Sequence, residues 1–321
     1  MTNVLLSAEG LTKHFPVRGG GLARAVDGVD FQVKQGGALG LVGESGCGKT
    51  TTGRLLVRLL EPTSGRIVFD GRDITHLRRS QLRPIRHQLQ IIFQDPYASL
   101  NPRHTVGRIV AMPLQVNRIR PAGGMKARVQ ELLEIVGLNP EHYNRYPHEF
   151  SGGQRQRVGI ARALALQPRL IVADEPVSAL DVSIQAQIIN LLRSLQRDLG
   201  LTFVFITHDL AVVSLFCPEV AVMYLGKIVE VGDRADIFAH PQHPYTRALM
   251  SAVPDPAALG TSRRIRLSGD VPSALNPPSG CRFRTRCPQA RERCSGDEPA
   301  LVTRGATQRT ACHFPEAIAP Q

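Results

Sequence analysis

A glycine-rich segment near the start of the chain has the residue types of a phosphate-binding loop. It runs from Gly43 to Thr50, matches the spacing G-x-x-x-x-G-K-[ST], and lies between an apolar run over 38–42 and a helical pattern. Glycines let backbone N–H groups surround a phosphate, while the lysine and the threonine suit phosphate oxygens and Mg²⁺. We therefore predict a nucleotide site formed by Gly43, Glu44, Ser45, Gly46, Cys47, Gly48, Lys49, Thr50 and Thr51.

Two adjacent carboxylates follow a second apolar run, over 170–173. Asp174 could hold Mg²⁺ through its water shell, and Glu175 could orient or deprotonate an attacking water. Such a pair alone indicates little, because strand ends are often acidic. Together with the phosphate-binding loop, it predicts a nucleoside triphosphatase.

The thiol of Cys47 lies inside the predicted loop, close to Lys49 and to a helix start. Both features favour a thiolate. We therefore expect Cys47 to react with a maleimide, and MgATP to protect it.

Four more cysteines are concentrated near the C-terminal end of the chain. In a cytosolic protein, such a group indicates metal ligation before disulfides. No Cys-x-x-Cys pair is present, so the spacing fits zinc poorly, whereas four thiolates can equally hold a [4Fe–4S] cluster. Nearby arginines, including Arg284 and Arg286, would stabilise the negative charge of such a cluster. Iron–sulfur, zinc and free thiols all remain open for Cys281, Cys287, Cys294 and Cys312.

The remaining sequence predicts the elements that must position these residues. Apolar runs over 38–42, 170–173, 202–206 and 220–224 alternate with helical patterns, which predicts an α/β fold with a parallel sheet. Shorter strand-like pieces over 4–11, 26–33 and 66–70 predict a small antiparallel sheet. Residues 95–166 are mostly helical in pattern, and the chain beyond Pro241 is rich in proline.

The charge of +12 suits an anionic partner: a nucleic acid, a nucleotide or a membrane face. Aromatic residues make up only 5% of the chain, there is no Trp, and no helix-turn-helix pattern occurs. These features argue against a nucleic-acid-binding protein. No apolar run is long enough to span a bilayer.

Three further motifs occur in a characteristic order with the first two. Gln94 follows a strand-like run, Ser151-Gly-Gly-Gln-Arg opens a helical pattern, and His208 follows another strand-like run. The whole set resembles the ATP-binding cassette (ABC) ATPases over about residues 4–240, with Phe150 where the family usually has Leu. The resemblance implies a P-loop ABC ATPase domain over 1–240, with a RecA-like parallel sheet core, an antiparallel β subdomain and an α-helical subdomain over about 95–165. A cysteine-containing C-terminal extension would cover 241–321.

The resemblance also implies a role for each motif. The family works as a head-to-tail dimer with two ATP molecules sandwiched between the subunits. Gln94 would bind Mg²⁺ and take part in catalysis, His208 would contact the γ-phosphate, Phe15 would stack on adenine, and Asp181 would cross the dimer interface. The ATP of the partner subunit would be contacted by the signature residues Ser151, Gly152, Gly153 and Gln154.

Longer segments, over 93–102, 243–249 and 276–288, resemble the ATPases of dipeptide and oligopeptide importers, particularly the second of their two ATPase subunits. This resemblance implies a distinct partner ATPase, two transmembrane permease subunits and an extracytoplasmic peptide-binding protein. It also implies a peripheral location on the cytoplasmic face of the cell membrane, and a [4Fe–4S] cluster in the extension. Nickel importers share much of the pattern and remain an alternative. A soluble nucleic-acid-associated ABC ATPase is the other alternative.

Overall fold

The computed structural model describes residues 3–17, 19–252, 265–305 and 307–315. The chain divides into two compact units. The first unit comprises Met1–His76 and Phe205–Gln321, and the second comprises Leu77–Val204. Parts of the predicted extension, residues 253–264, 306 and 316–321, lie outside the described residues.

The strands are β1 (Val4–Pro16), β2 (Leu22–Lys34), β3 (Ala38–Val42), β4 (Ser64–Phe69), β5 (Arg72–Asp73), β6 (Leu89–Ile92), β7 (Leu170–Asp174), β8 (Thr202–Thr207), β9 (Glu219–Tyr224), β10 (Lys227–Asp233), β11 (Val302–Arg304) and β12 (Gln308–Thr310). The helices are α1 (Lys49–Leu56), α2 (Arg79–Gln88), α3 (Pro96–Ser99), α4 (Val106–Val116), α5 (Met125–Ile135), α6 (Gly152–Leu164), α7 (Val182–Leu199), α8 (Leu210–Phe216), α9 (Arg234–Ala239), α10 (Pro244–Met250) and α11 (Arg293–Gly296). Short 3₁₀ helices lie at Pro140–Asn144 and Pro147–Glu149.

The first unit contains the predicted antiparallel sheet, with strand order β2-β1-β4-β5. Strands β1 and β2 extend further than the apolar pattern suggested. The pair continues to Phe15↔Ala23 and Pro16↔Leu22, beyond register shifts that include the one between Ala8 and Leu11. Such bulges let strands bend and continue through polar residues, which explains why hydrophobicity alone ended the strands too early.

A second run of strands in this unit has the order β11-β12-β10-β9-β3. Strand β3 is parallel to β9, as predicted, but β10, β12 and β11 are antiparallel additions. These antiparallel strands extend the predicted parallel core, and the sequence pattern did not predict them. Leu225 (φ 43°) and Gly226 (φ 83°) join β9 to β10, and two consecutive positive φ values give the tight turn of a hairpin.

A buried carboxylate ties the chain beyond residue 240 to β10. The side chain of Glu230 is fully buried and accepts hydrogen bonds from the backbone N–H groups of Gln242 (2.8 Å) and His243 (3.0 Å). It also accepts a bond of 2.6 Å from the side-chain amide of Gln308 on β12. Burial raises the pKa of Glu230, and these hydrogen bonds oppose that rise.

In the second unit, β6 and β7 pair in parallel, from Leu89↔Leu170 to Ile92↔Ala173. Helix α7 buries Ile188, Leu192 and Leu195 along one face and ends at Gly200, whose φ of 64° is left-handed. This helix matches its predicted apolar period and its predicted end. Within the described residues, no helix is both long and apolar enough to cross a membrane.

Candidate functional site

The predicted phosphate-binding loop joins β3 to α1 in the first unit. Gly43 and Gly48 have φ values of 154° and 107°. A Cβ atom on Gly43 would lie 2.1 Å from the carbonyl oxygen of Met223, and one on Gly48 would lie 2.1 Å from that of Ala25. The loop therefore fits against neighbouring backbone only with glycine at both positions.

The ammonium group of Lys49 is held inside the curve of this loop. Its Nζ donates hydrogen bonds to the carbonyl oxygens of Gly43 (2.7 Å) and Glu44 (2.9 Å), and the residue is only 5% exposed. An ammonium group in this position can exchange a loop carbonyl for a phosphate oxygen. The contact of Lys49 with phosphate stays a prediction.

The prediction of a reactive thiolate at Cys47 is wrong. Cys47 is 2% exposed, and burial raises the pKa of its thiol although the nearby Lys49 ammonium opposes that rise. The sulfur lies 3.8 Å from Lys49 Nζ. Desolvation outweighs the ammonium because the thiol is enclosed on the inner side of the loop, away from water.

Residues from beyond position 240 hold the second residue of the loop. The phenolic oxygen of Tyr245 accepts a hydrogen bond of 2.9 Å from the backbone N–H of Glu44. The guanidinium of Arg286 donates two hydrogen bonds to the Glu44 carboxylate, of 2.6 and 3.1 Å. From the sequence, Arg286 was expected only to balance the charge of the cysteine group, and no role at the loop was expected for Tyr245.

The predicted adenine platform, Phe15, lies on β1 opposite Ala23 of β2 and is half-buried. The ammonium of Lys13 lies 5.2 Å from the centroid of its ring. Stacking on adenine stays a prediction. On the same strand pair, Asp27 bonds to His14 (2.9 Å) and to Arg282. Burial raises the pKa of Asp27, but these bonds outweigh it and leave the pKa below its ordinary value.

His208 directly follows β8 in the first unit, as predicted, and its side chain is exposed. Asp209, the next residue, caps α8 by accepting hydrogen bonds from the N–H groups of Ala211 and Val212. The cap fixes where the strand ends and therefore where the His208 backbone lies. Its contact with a γ-phosphate stays a prediction.

In the second unit, the parallel pairing of β6 and β7 brings two predicted catalytic residues together. The side-chain amide of Gln94, just after β6, donates a hydrogen bond of 2.8 Å to the carboxylate of Glu175, just after β7. Asp174, the last residue of β7, is 2% exposed. Glu175 has a φ of 45°, an uncommon backbone conformation for a residue with a side chain, which is typical of functional sites.

The signature residues form the start of α6 in this second unit. The Ser151 hydroxyl accepts a bond from the N–H of Gln154 (3.3 Å), and the Gln154 side chain accepts one from the N–H of Ser151 (3.0 Å). This capping box fixes a helix N-terminus, which is a favourable place for an anion. A Cβ atom on Gly153 would lie 2.5 Å from Ile184 of α7, so close packing requires glycine there. Asp181 precedes α7 as its N-cap and is exposed.

The four C-terminal cysteines line one small cavity in the first unit, together with Phe283 and His313. Burial raises the pKa values of Cys281, Cys287 and Cys312, and for each of them the neighbouring cysteines add to the rise. The fold thus brings four thiols together, which suits a thiolate-held group. Among the described residues, however, no three His, Cys, Asp or Glu side chains are arranged so that they could hold a metal ion.

Comparison with known protein families matches two profiles to the chain. The ABC transporter profile matches residues 26–178, and the profile of the oligopeptide/dipeptide transporter C-terminal region matches residues 229–294. The oligopeptide transport ATP-binding protein AppF of Bacillus subtilis is 49% identical over 319 residues, which cover 97% of this chain and 97% of AppF. The chain belongs to the ABC transporter ATPases.

Further comparisons agree with this membership. A protein of Brucella ovis named as a peptide import ATP-binding protein is 55% identical to this ABC ATPase over 297 residues, covering 92% of this chain and 93% of the relative. The dimeric ATP-binding cassette MJ0796, in a post-hydrolysis state bound to ADP and Pi, superposes with a TM-score of 0.65 at 30% identity. The superposed region covers 71% of this chain and 98% of the MJ0796 chain. The fold is therefore the P-loop ABC ATPase fold, and the activity is ATP hydrolysis.

Proposed function

We propose that this ABC ATPase powers the import of dipeptides and oligopeptides. The observation that supports the proposal is the match of residues 229–294 to the oligopeptide/dipeptide transporter C-terminal region. Relatives that match nearly the whole chain are named as peptide import or oligopeptide transport ATP-binding proteins. In this proposal, the subunit works on the cytoplasmic face of the cell membrane. Its partners are a distinct second ATPase, two permease subunits and an extracytoplasmic peptide-binding protein.

Binding of MgATP is proposed to rest on the loop and on residues at strand ends. Lys49 exchanges its bonds to the loop carbonyls for bonds to phosphate oxygens, and the Thr50 hydroxyl supplies a ligand for Mg²⁺. Asp174 holds the same Mg²⁺ through the water molecules bound to the cation. Phe15 offers its ring to the adenine. The hidden position of Lys49 supports this assignment, because the ammonium group is already aimed into the curve of the loop.

Hydrolysis is proposed to use Glu175 as the base that takes a proton from the attacking water. Gln94 holds the Glu175 carboxylate by the bond of 2.8 Å and contributes to Mg²⁺ binding. His208 contacts the γ-phosphate. The proposed dimer adds Ser151, Gly152, Gly153, Gln154 and Asp181 of one subunit to the nucleotide of the other. The capped helix start at Ser151 supports an anion-binding role.

We further propose that Cys281, Cys287, Cys294 and Cys312 hold a [4Fe–4S] cluster. The shared cavity supports a common ligand, and the absence of a Cys-x-x-Cys pair favours iron–sulfur over zinc. The cluster would fasten the extension, which has little apolar content of its own. Anaerobic purification followed by iron, sulfide and zinc analysis tests this. About four irons per chain with absorption near 400 nm are expected, whereas one zinc without sulfide would contradict it.

Transport assays in cells test the cargo. Cells producing the complete importer with the parental chain should take up a labelled dipeptide and a labelled tripeptide. Cells with Glu175→Gln should not. Glu131→Gln is the matched control, because this carboxylate pairs with Arg128 on the surface of helix α5, at 2.8 Å. Uptake of nickel ions but not peptides would overturn the proposed cargo while leaving the ATPase assignment intact.

A further inference from the structure

The extension holds Glu44 by its backbone and by its side chain. The Tyr245 hydroxyl oxygen accepts a hydrogen bond from the Glu44 backbone N–H. Arg286 donates two hydrogen bonds, of 2.6 and 3.1 Å, to the Glu44 carboxylate. The Arg286 side chain is 7% exposed, and that of Glu44 is 29% exposed. Two parallel bonds between a guanidinium and a carboxylate fix orientation as well as distance, which one bond cannot do.

Glu44 is also the residue through which the phosphate-binding lysine is held. Lys49 donates to the carbonyl oxygens of Gly43 and Glu44, the two consecutive peptides that open the loop. Fixing the Glu44 side chain and its N–H therefore fixes the carbonyl group against which Lys49 rests. The neighbouring glycines could not supply this rigidity, because glycine has the greatest backbone freedom.

Charge gives the clamp a second effect. The carboxylate of Glu44 has the same sign as the phosphates that this loop binds, so it opposes their approach. The Arg286 guanidinium neutralises the carboxylate through its two hydrogen bonds. A guanidinium stays charged throughout the physiological range, so this neutralisation does not depend on pH there.

Arg286 is itself held in place by a buried aromatic group. Phe283, Tyr224 and Tyr245 are at most 1% exposed, and their ring centroids lie 4.7 to 5.4 Å apart. The Arg286 guanidinium lies 5.9 Å from the Tyr224 ring, and its backbone N–H donates to the carbonyl of Phe283 at 3.0 Å. The buried aromatic rings and this backbone hydrogen bond therefore hold the guanidinium in one position, unlike the guanidinium of an exposed arginine.

We propose that Arg286 is a positioning residue for ATP binding, acting through Glu44 on the phosphate-binding loop. The C-terminal extension thereby becomes part of the nucleotide site, without touching the nucleotide. This assigns to Arg286 a role that does not depend on what the cysteines hold. It also predicts an effect on ATP affinity rather than on the chemical step.

The test separates KM from kcat in the assembled importer. Arg286→Gln should raise KM for ATP about tenfold, as expected for the loss of a charge-assisted pair, and should change kcat little. Arg286→Lys should restore part of the affinity, because it keeps the charge but loses the two-pronged geometry. Arg234→Gln is the matched control. The exposed Arg234 side chain bonds to the Ser214 carbonyl oxygen at 2.7 Å, so KM should stay at the parental value.

A double-mutant cycle with Glu44→Gln tests whether Arg286 acts on ATP binding through Glu44. In the Glu44→Gln background, the further change Arg286→Gln should raise KM by much less than tenfold, because the partner carboxylate is already neutral. The double variant also answers the question if Arg286→Gln alone fails to fold, since it buries no lone charge. Equal effects in both backgrounds, an unchanged KM in Arg286→Gln, or an equal rise of KM in Arg234→Gln would overturn the proposal. Iron content measured on each variant separates these results from any change at the cysteines.

Discussion

The side-chain amide of Gln94 donates a hydrogen bond of 2.8 Å to the carboxylate of Glu175. Glu175 directly follows β7, and Gln94 follows β6 after Phe93, so the parallel pairing of these two strands brings the two side chains together. The bond occupies one oxygen of the carboxylate and restricts the rotation of the group. The hydrogen bond from Gln94 can therefore determine which carboxylate oxygen of Glu175 faces a water molecule.

Removing the proposed base should separate ATP binding from hydrolysis. In Glu175→Gln, we expect the hydrolysis rate to fall by about 10²- to 10⁴-fold, because the amide cannot accept the proton while the side-chain shape is kept. ATP should still bind, since the phosphate-binding loop is unchanged. Equilibrium binding and single-turnover hydrolysis in the assembled complex measure the two effects. A parental hydrolysis rate would show that another group is the base.

Gln94 should affect the rate through the position of Glu175. In Gln94→Ala, we expect kcat to fall about tenfold, because the carboxylate loses the donor that orients it. Gln94→Glu should be slower still, since two carboxylates at hydrogen-bond distance repel each other. Gln90→Ala is the control, because the Gln90 amide bonds to the Arg86 carbonyl oxygen, at 2.6 Å, and not to the Glu175 carboxylate in the part of the chain that the structure describes. Equal rates for the alanine variants at 94 and 90 would contradict the assignment.

Local patterns in the sequence predicted the elements that carry the site. The apolar period and the glycine at position 200 gave the correct end of α7, because both act within a few residues of the helix. The loop at Gly43 was found for the same reason: its spacing is a local requirement of phosphate binding.

Tertiary contacts were not visible in the sequence. Arg286 and Glu44 are separated by 242 residues, and nothing in either segment indicates that the other lies beside it. The burial of Cys47 has the same origin. Its neighbours along the chain favour a thiolate, whereas the packing of the folded loop excludes the water that a thiolate needs.

Backbone from a neighbouring strand lies so close to Gly48 that a side chain at this position should disrupt the phosphate-binding loop. Gly48→Ala should abolish ATP binding and lower the free energy of unfolding strongly, because the new Cβ would meet the Ala25 carbonyl oxygen at 2.1 Å. Gly36→Ala separates strain from contact. Gly36 also has a positive φ, of 72°, but no atom lies within 4 Å of its Cβ position. Gly36→Ala should lower the free energy of unfolding only by the cost of a left-handed backbone conformation, about 1–2 kcal/mol. Urea unfolding and nucleotide binding measure both, and similar losses for the two variants would disprove the contact argument.

The buried carboxylate of Glu230 predicts how stability depends on pH. Burial raises its pKa in the folded protein above the ordinary value of 4.5, which applies to the unfolded chain. Below 4.5, both states are protonated, so the group contributes no pH dependence. As the pH rises above that value, the unfolded chain releases the proton first, and the folded state loses stability until the pH passes the raised pKa.

The contribution of Glu230 is obtained by comparing the parental protein with Glu230→Gln, which cannot ionise. From pH 4.5 upward, the free energy of unfolding of the parent should fall relative to that of the variant, and the difference should become constant above the folded pKa. Glu219→Gln is the control, because that carboxylate bonds to Lys34 at the surface, at 2.6 Å, where water screens it. Urea unfolding across this pH range measures the difference. A difference that rises with pH would mean that the hydrogen bonds from Gln242, His243 and Gln308 outweigh the cost of burial.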